Sequence, residues 1–143
     1  MTIPDLWPDD LNGDAARTPI AILRRQGEAL GTRTQNFVYG EVESRPFDNG
    51  KQFEHVLVIQ APFLRFRFPL LRITHGLALF PTKVAETDLT KDQTSAYWNV
   101  TVNTEAELIE AIRTFFNLNS VKTLIRSLIS QSTEIAPEPQ PAA

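Results

Sequence analysis

Apolar residues are concentrated in one stretch, Phe53–Phe80 (FEHVLVIQAPFLRFRFPLLRITHGLALF), and the segments on either side alternate in ways that let them pack onto it. Upstream, Thr18-Pro19 is a helix start, with Thr as N-cap and Pro in the first helical position. Ile20, Leu23, Gly27 and Leu30 then recur at three- and four-residue spacing as one apolar stripe, and Gly31 is the expected stop. Gly27 on that stripe implies a close approach of the helix to whatever lies beneath it, at some cost in helix propensity.

Asn36–Arg45 alternates as a strand, and Asp48-Asn49-Gly50 is a turn signal, because Asn and Gly tolerate positive φ. In Gln52–Gln60 both parities carry apolar residues at the centre, the pattern of an interior strand. Ala61-Pro62 breaks the run, and Phe63–His75 is expected to form a third strand. Leu64, Phe66 and Phe68 share one parity, whereas Leu71 and Ile73 beyond Pro69 have the other. One inserted bulge residue near Pro69 reconciles them. Leu77–Ala85, containing Pro81, gives a fourth strand; the polar loop 87–95 follows, and then a fifth strand, Ala96–Asn103, with Tyr97 and Trp98.

Thr104-Glu105-Ala106-Glu107 is a capping box opening a helix striped by Leu108, Ile109, Ile112, Phe115 and Phe116. Ser120 is placed to cap a last helix striped by Val121, Leu124, Ile125, Leu128 and Ile129. A helix, about five consecutive strands with short links and two closing helices predict an α+β domain. In it an antiparallel meander carries the N-terminal helix and the two C-terminal helices on one face. The expected organisation is a flexible acidic arm over 1–16, one domain over 17–132 and a disordered Pro-rich tail over 133–143. Ile3, Leu6 and Trp7 stand out in the arm; docking back onto the domain is the expected use, docking onto a partner the alternative.

Charge changes this picture in one respect. The net charge of -3 hides an arm of -4 and a tail of -2 around a body of +3. A mildly basic body favours an anionic partner, yet falls well short of the footprint of a dedicated nucleic-acid module. Zero cysteines exclude disulfides, thiolate catalysis and cysteine zinc sites. Together with the lack of an apolar membrane run and of a signal-peptide pattern in MTIPDLWPDD, they lead to the expectation of a reducing interior, most simply a bacterial cytoplasm. No apolar run is long enough to span a membrane, and Arg65, Arg67 and Arg72 interrupt the longest one.

Candidate chemistry is sparse. The glycines are too scattered for a phosphate loop, no G-x-S-x-G occurs, and no metal-ligand spacing is present, so neither cofactor nor metal is expected. Of the two histidines, His55 reads as a hydrogen-bonded sheet residue and His75 as a turn residue beside Gly76; either is a possible acid or base through its pKa alone. The Glu41/Glu43 pair reads as a solvated strand edge. Arg65, Arg67 and Arg72, with His75, form the candidate partner-binding set, since guanidinium groups interleaved with Phe66 and Phe68 suit an anionic ligand. Against that stands cross-strand pairing of the arginines with Glu41, Glu43 or Glu54. The resulting expectation is a non-enzymatic interaction domain whose partner is another protein, including an assembly or immunity-type role, or a second copy. A nucleic-acid or nucleotide module is the disfavoured alternative, and a histidine-dependent hydrolase a weaker one.

Overall fold

The computed structural model describes residues 2–9, 18–87 and 98–136. Its elements are α1 (Pro19–Arg33), β1 (Tyr39–Phe47), β2 (Gln52–Ala61), a 3-10 turn (Pro62–Leu64), β3 (Phe66–Gly76), β4 (Thr82–Glu86), β5 (Asn99–Val102), α2 (Glu105–Phe116) and α3 (Asn119–Ile135). The five strands form one antiparallel sheet in the order β1-β2-β3-β4-β5, the meander expected from the chain order. Tyr97, the loop 88–95 and the tail 137–143 lie outside the described residues. α3 itself continues to Ile135, past the expected domain boundary at 132.

Local chemistry accounts for most boundaries. The Thr18 hydroxyl accepts from Ala21 N–H at 3.2 Å and opens α1. Gly31 does not end that helix. It is buried within it against Tyr39 Cβ, and the stop comes where Gln35 and Asn36 take φ of 53° and 63°. Asp48, Asn49 and Gly50 all have positive φ (54°, 56° and 78°) and close the β1–β2 hairpin as expected. In the capping box of α2, Thr104 Oγ1 accepts from Glu107 N–H at 3.1 Å. The Glu107 carboxylate reaches back one residue further than the standard motif, accepting from Asn103 N–H at 2.7 Å. α3 starts earlier than Ser120, from Leu118, without a side-chain cap.

The β2–β3 register runs Leu57↔Leu71 and then Val58↔Pro69, so Leu70 is the inserted residue of a bulge. Leu70 and Leu71 are both buried in the core, which is the phase correction that the two parities around Pro69 required. β3 nevertheless starts later than expected. Pro62 initiates the 3-10 turn, and Arg65 closes it in the left-handed region at φ 51°.

The helices cover one face of the sheet. Leu57, Ile59, Leu71, Ile73, Val84 and Val102 from that face meet Leu23, Leu108, Ile112, Phe115, Val121 and Leu128. α1 packs on β1 and β2, α2 on β4 and β5, and α3 on the 3-10 turn and β2, while α1 and α3 barely touch. Gly27 sits directly over Gly40 of β1: a Cβ added at Gly27 would overlap the Gly40 carbonyl oxygen and lie 2.7 Å from its carbon. The two glycines let the backbones of α1 and β1 meet, and a gap separates α1 from α3.

Candidate functional site

Among the described residues three places stand out as candidate sites: the open face of the sheet, the histidine pair, and the gap between α1 and α3.

On the open face, alternation along the strands brings up Glu41, Glu43 and Arg45 from β1, Glu54 from β2, Arg67 and Arg72 from β3, and Lys83 from β4. Arg67 pairs with Glu43, and Arg45 with Glu54. Arg72 Nε lies 3.1 Å from the second oxygen of Glu54, an ion pair whose N–H is not aligned as a hydrogen bond. Glu54 is buried and anchors the group from beneath. These are the cross-strand partners that the sequence offered as the alternative to ligand binding. A shallow concavity of about 480 Å³ lies over them, lined also by Val56, Val58 and Pro69. Arg65 is not part of this face: it caps the 3-10 turn and is exposed there, so it does not share a strand face with Arg67. The parity rule failed at Arg65 because the chain is not yet extended there.

His55 and His75 come together on the helix side of β2 and β3, their Nε2 atoms 2.9 Å apart. His75 Nδ1 is 2.7 Å from the Gly76 carbonyl, which only accepts, so that nitrogen carries a proton. In a neutral His75 ring, Nε2 is therefore the acceptor and His55 Nε2–H the donor. His55 Nδ1, 2.7 Å away, in turn accepts from the Ser44 hydroxyl. Every ring nitrogen is satisfied, both rings are buried, and neither lines the concavity or the interhelical gap. The arrangement serves the sheet as a buried polar bridge between β1, β2 and β3. Among the described residues no carboxylate is in hydrogen-bond contact with either ring.

Burial lowers the His55 pKa below its ordinary 6.5, reinforced by neighbouring His75 and Arg24 and opposed by Glu54. The unfolded chain then binds the proton more readily than the folded one. Stability is full above pH 6.5 and declines as pH falls from there toward the lowered folded value. Chemical denaturation between pH 7.5 and about 5 is expected to show this slope, and a His55→Gln variant should flatten it. A wild-type slope unchanged in the variant would assign the effect elsewhere.

The third place was not among the residues singled out for binding. Between α1 and α3, over β2 and β3, lies an apolar groove of about 290 Å³. Leu57, Ile59 and Leu70 line it from the sheet, Leu30 from α1, Phe116 from α2 and Ile125 from α3. Leu30, Phe116 and Ile125 are only partly buried, so the helix stripes carry more apolar surface than the sheet covers. Three cations, Arg33, Lys122 and Arg126, complete the lining, and none is paired with a carboxylate of the described residues. Lys122 and Arg126 stand one turn apart on α3, and Arg33 ends α1, where the helix dipole favours a cation. The signal available in sequence was the excess apolar width of α3; the gap that exposes it is lined from α1 by Gly27 and Leu30.

Among the described residues no group of three or more His, Cys, Asp or Glu side chains is placed to hold a metal ion, and no helix is long and apolar enough to cross a membrane. Compared with protein-family models, curated proteins and solved structures, the chain matches none.

Proposed function

We propose that the protein is an interaction module whose groove between α1 and α3 takes up an apolar, acidic segment of a protein partner. One observation carries this reading: an open apolar groove lined by three cations without carboxylate partners among the described residues. An amphipathic segment docking its apolar face satisfies the floor, and its carboxylates meet Arg33, Lys122 and Arg126. The volume suits side chains rather than a large cofactor, since an apolar cavity of roughly 150 Å³ already holds one benzene-sized ring. The arginines of the open face support the nucleic-acid alternative less well, because Glu43 and Glu54 already take up their charge. We place the protein in the reducing cytoplasm of a bacterium, a reading that rests on its cysteine-free composition.

The test is fluorescence polarisation with a labelled synthetic peptide carrying Leu and Trp among Asp residues, against the same peptide with Lys for Asp. The acidic peptide is expected to bind, with affinity falling as salt rises. Lys122→Glu with Arg126→Glu should weaken it at least about tenfold, the equivalent of about 1.4 kcal/mol. Equal binding of both peptides, or indifference to the charge reversals, overturns the reading. Binding of a labelled single-stranded oligonucleotide that is lost in Arg67→Ala/Arg72→Ala would put the function on the open face instead.

A further inference from the structure

The chain itself contains a segment with the chemistry that the groove selects. Ile3, Leu6 and Trp7 are 85%, 85% and 72% exposed, among the largest apolar side chains left open to solvent. They fall at positions i, i+3 and i+4, the spacing of anchors that enter a groove from one side of a helical turn. Asp5 and Asp9 are interleaved with them, and Asp5 Oδ1 accepts from Trp7 N–H at 3.0 Å. No Lys or Arg is present before Arg17. An acidic apolar arm and a basic apolar groove on one molecule are complementary surfaces.

The expected docking of this arm onto its own domain is not what the structure shows: all three apolar side chains are open to solvent. Reach does not forbid it, because the chain from Trp7 to Thr18 can span up to about 36 Å, and α1 is only about 22 Å long. The arm stands off its own domain although its tether is long enough to return.

We propose that two copies of the chain exchange arms, Ile3, Leu6 and Trp7 of each entering the groove of the other. Asp5 and Asp9 then face Arg33, Lys122 and Arg126 of the receiving copy. This rests on the reading of the groove given above and names its occupant. Exchange is reciprocal, so a two-fold axis relates the copies and both grooves fill at once. Two arm contacts in one assembly reinforce each other, because once the first is made the second is intramolecular.

Sedimentation velocity on the full chain tests it. Wild type is expected to be a dimer that dissociates on dilution and in high salt. Leu6→Ala/Trp7→Ala removes the arm anchors, whose exposure makes them dispensable for folding, and should give a monomer. Lys122→Glu/Arg126→Glu should give a monomer with an intact arm. Mixed in equal amounts at a concentration well above the dissociation constant of the arm peptide for the Leu6→Ala/Trp7→Ala chain, the two monomers should form a 1:1 complex, since one retains a groove and the other an arm. That complex has one arm contact and is weaker than the wild-type dimer. A monomeric wild type overturns the proposal, as does a dimer that survives both pairs of substitutions, or a mixture that stays monomeric.

The same variants separate this proposal from the one beneath it. In the Leu6→Ala/Trp7→Ala chain the groove is free, so the acidic probe peptide should bind roughly tenfold more tightly than to wild type held nine-tenths dimeric. If the peptide binds this variant but wild type is monomeric, arm exchange is wrong and the groove reading stands. Failure of the peptide to bind the variant removes both.

Discussion

Gly27→Ala is expected to lower the melting temperature by about 10 °C, the equivalent of about 3 kcal/mol in a domain of this size. The cause is backbone against backbone. The new Cβ would overlap the Gly40 carbonyl oxygen and come within 3.0 Å of Gly40 Cα, and neither atom belongs to a side chain that can turn aside. Overpacking in a core costs ~1–3 kcal/mol when side chains can adjust, so a clash with a strand lies at the upper end. Alanine's better helix propensity returns only about 1 kcal/mol of the larger gross cost. To relieve the contact, α1 must lift from β1, which widens the groove that Leu30 lines with Ile125. Thermal denaturation followed by circular dichroism measures the shift. A variant as stable as wild type would show that the seat of α1 on β1 is looser than its geometry indicates.

Phe115→Ala is the second large effect, at about 3–5 kcal/mol. Phe115 is 1% exposed, and its ring centroid lies 5.1 Å from that of Trp98 and 6.2 Å from that of Phe116. β5 is only four residues long and, among the described residues, pairs with β4 alone, so the packing of α2 on β4 and β5 adds to the support of that end of the sheet. Truncation leaves a void among rigid rings and strips Trp98 of its neighbour. Denaturant titration should show the midpoint falling, and in a Trp7→Phe background, where Trp98 is the remaining tryptophan, native emission should shift to the red. A loss below about 1 kcal/mol would mean that the ring's neighbours close over the gap.

Much of this fold was legible from period and punctuation. The Asp48-Asn49-Gly50 turn, the caps at Thr18 and Thr104, and the phase change at Pro69 each have a local physical cause, and each appears where its chemistry puts it. Arg65 shows the limit of such reading. Pro62 makes one 3-10 turn that alternation does not reveal, and the turn takes Arg65 off the face to which Arg67 and Arg72 belong. His55 and His75 are twenty positions apart, and only the hairpin register Phe53↔His75 and His55↔Ile73 makes them neighbours. The groove was the least legible feature. Its lining comes from five separate elements, and its existence depends on α1 and α3 failing to meet, a property of tertiary placement. What the sequence did contain was Gly27 on a buried stripe, an acidic arm with Ile3, Leu6 and Trp7, and a mildly basic body.

The most direct measurement is an amide NMR titration of the isotope-labelled Leu6→Ala/Trp7→Ala chain with a synthetic peptide of residues 2–9. Docking in the groove predicts shift changes centred on Leu30, Arg33, Lys122, Ile125 and Arg126, saturating with peptide and suppressed by salt. Changes centred on Glu43, Arg67 and Arg72 instead, or no changes at all, would contradict the groove as the place where this protein binds.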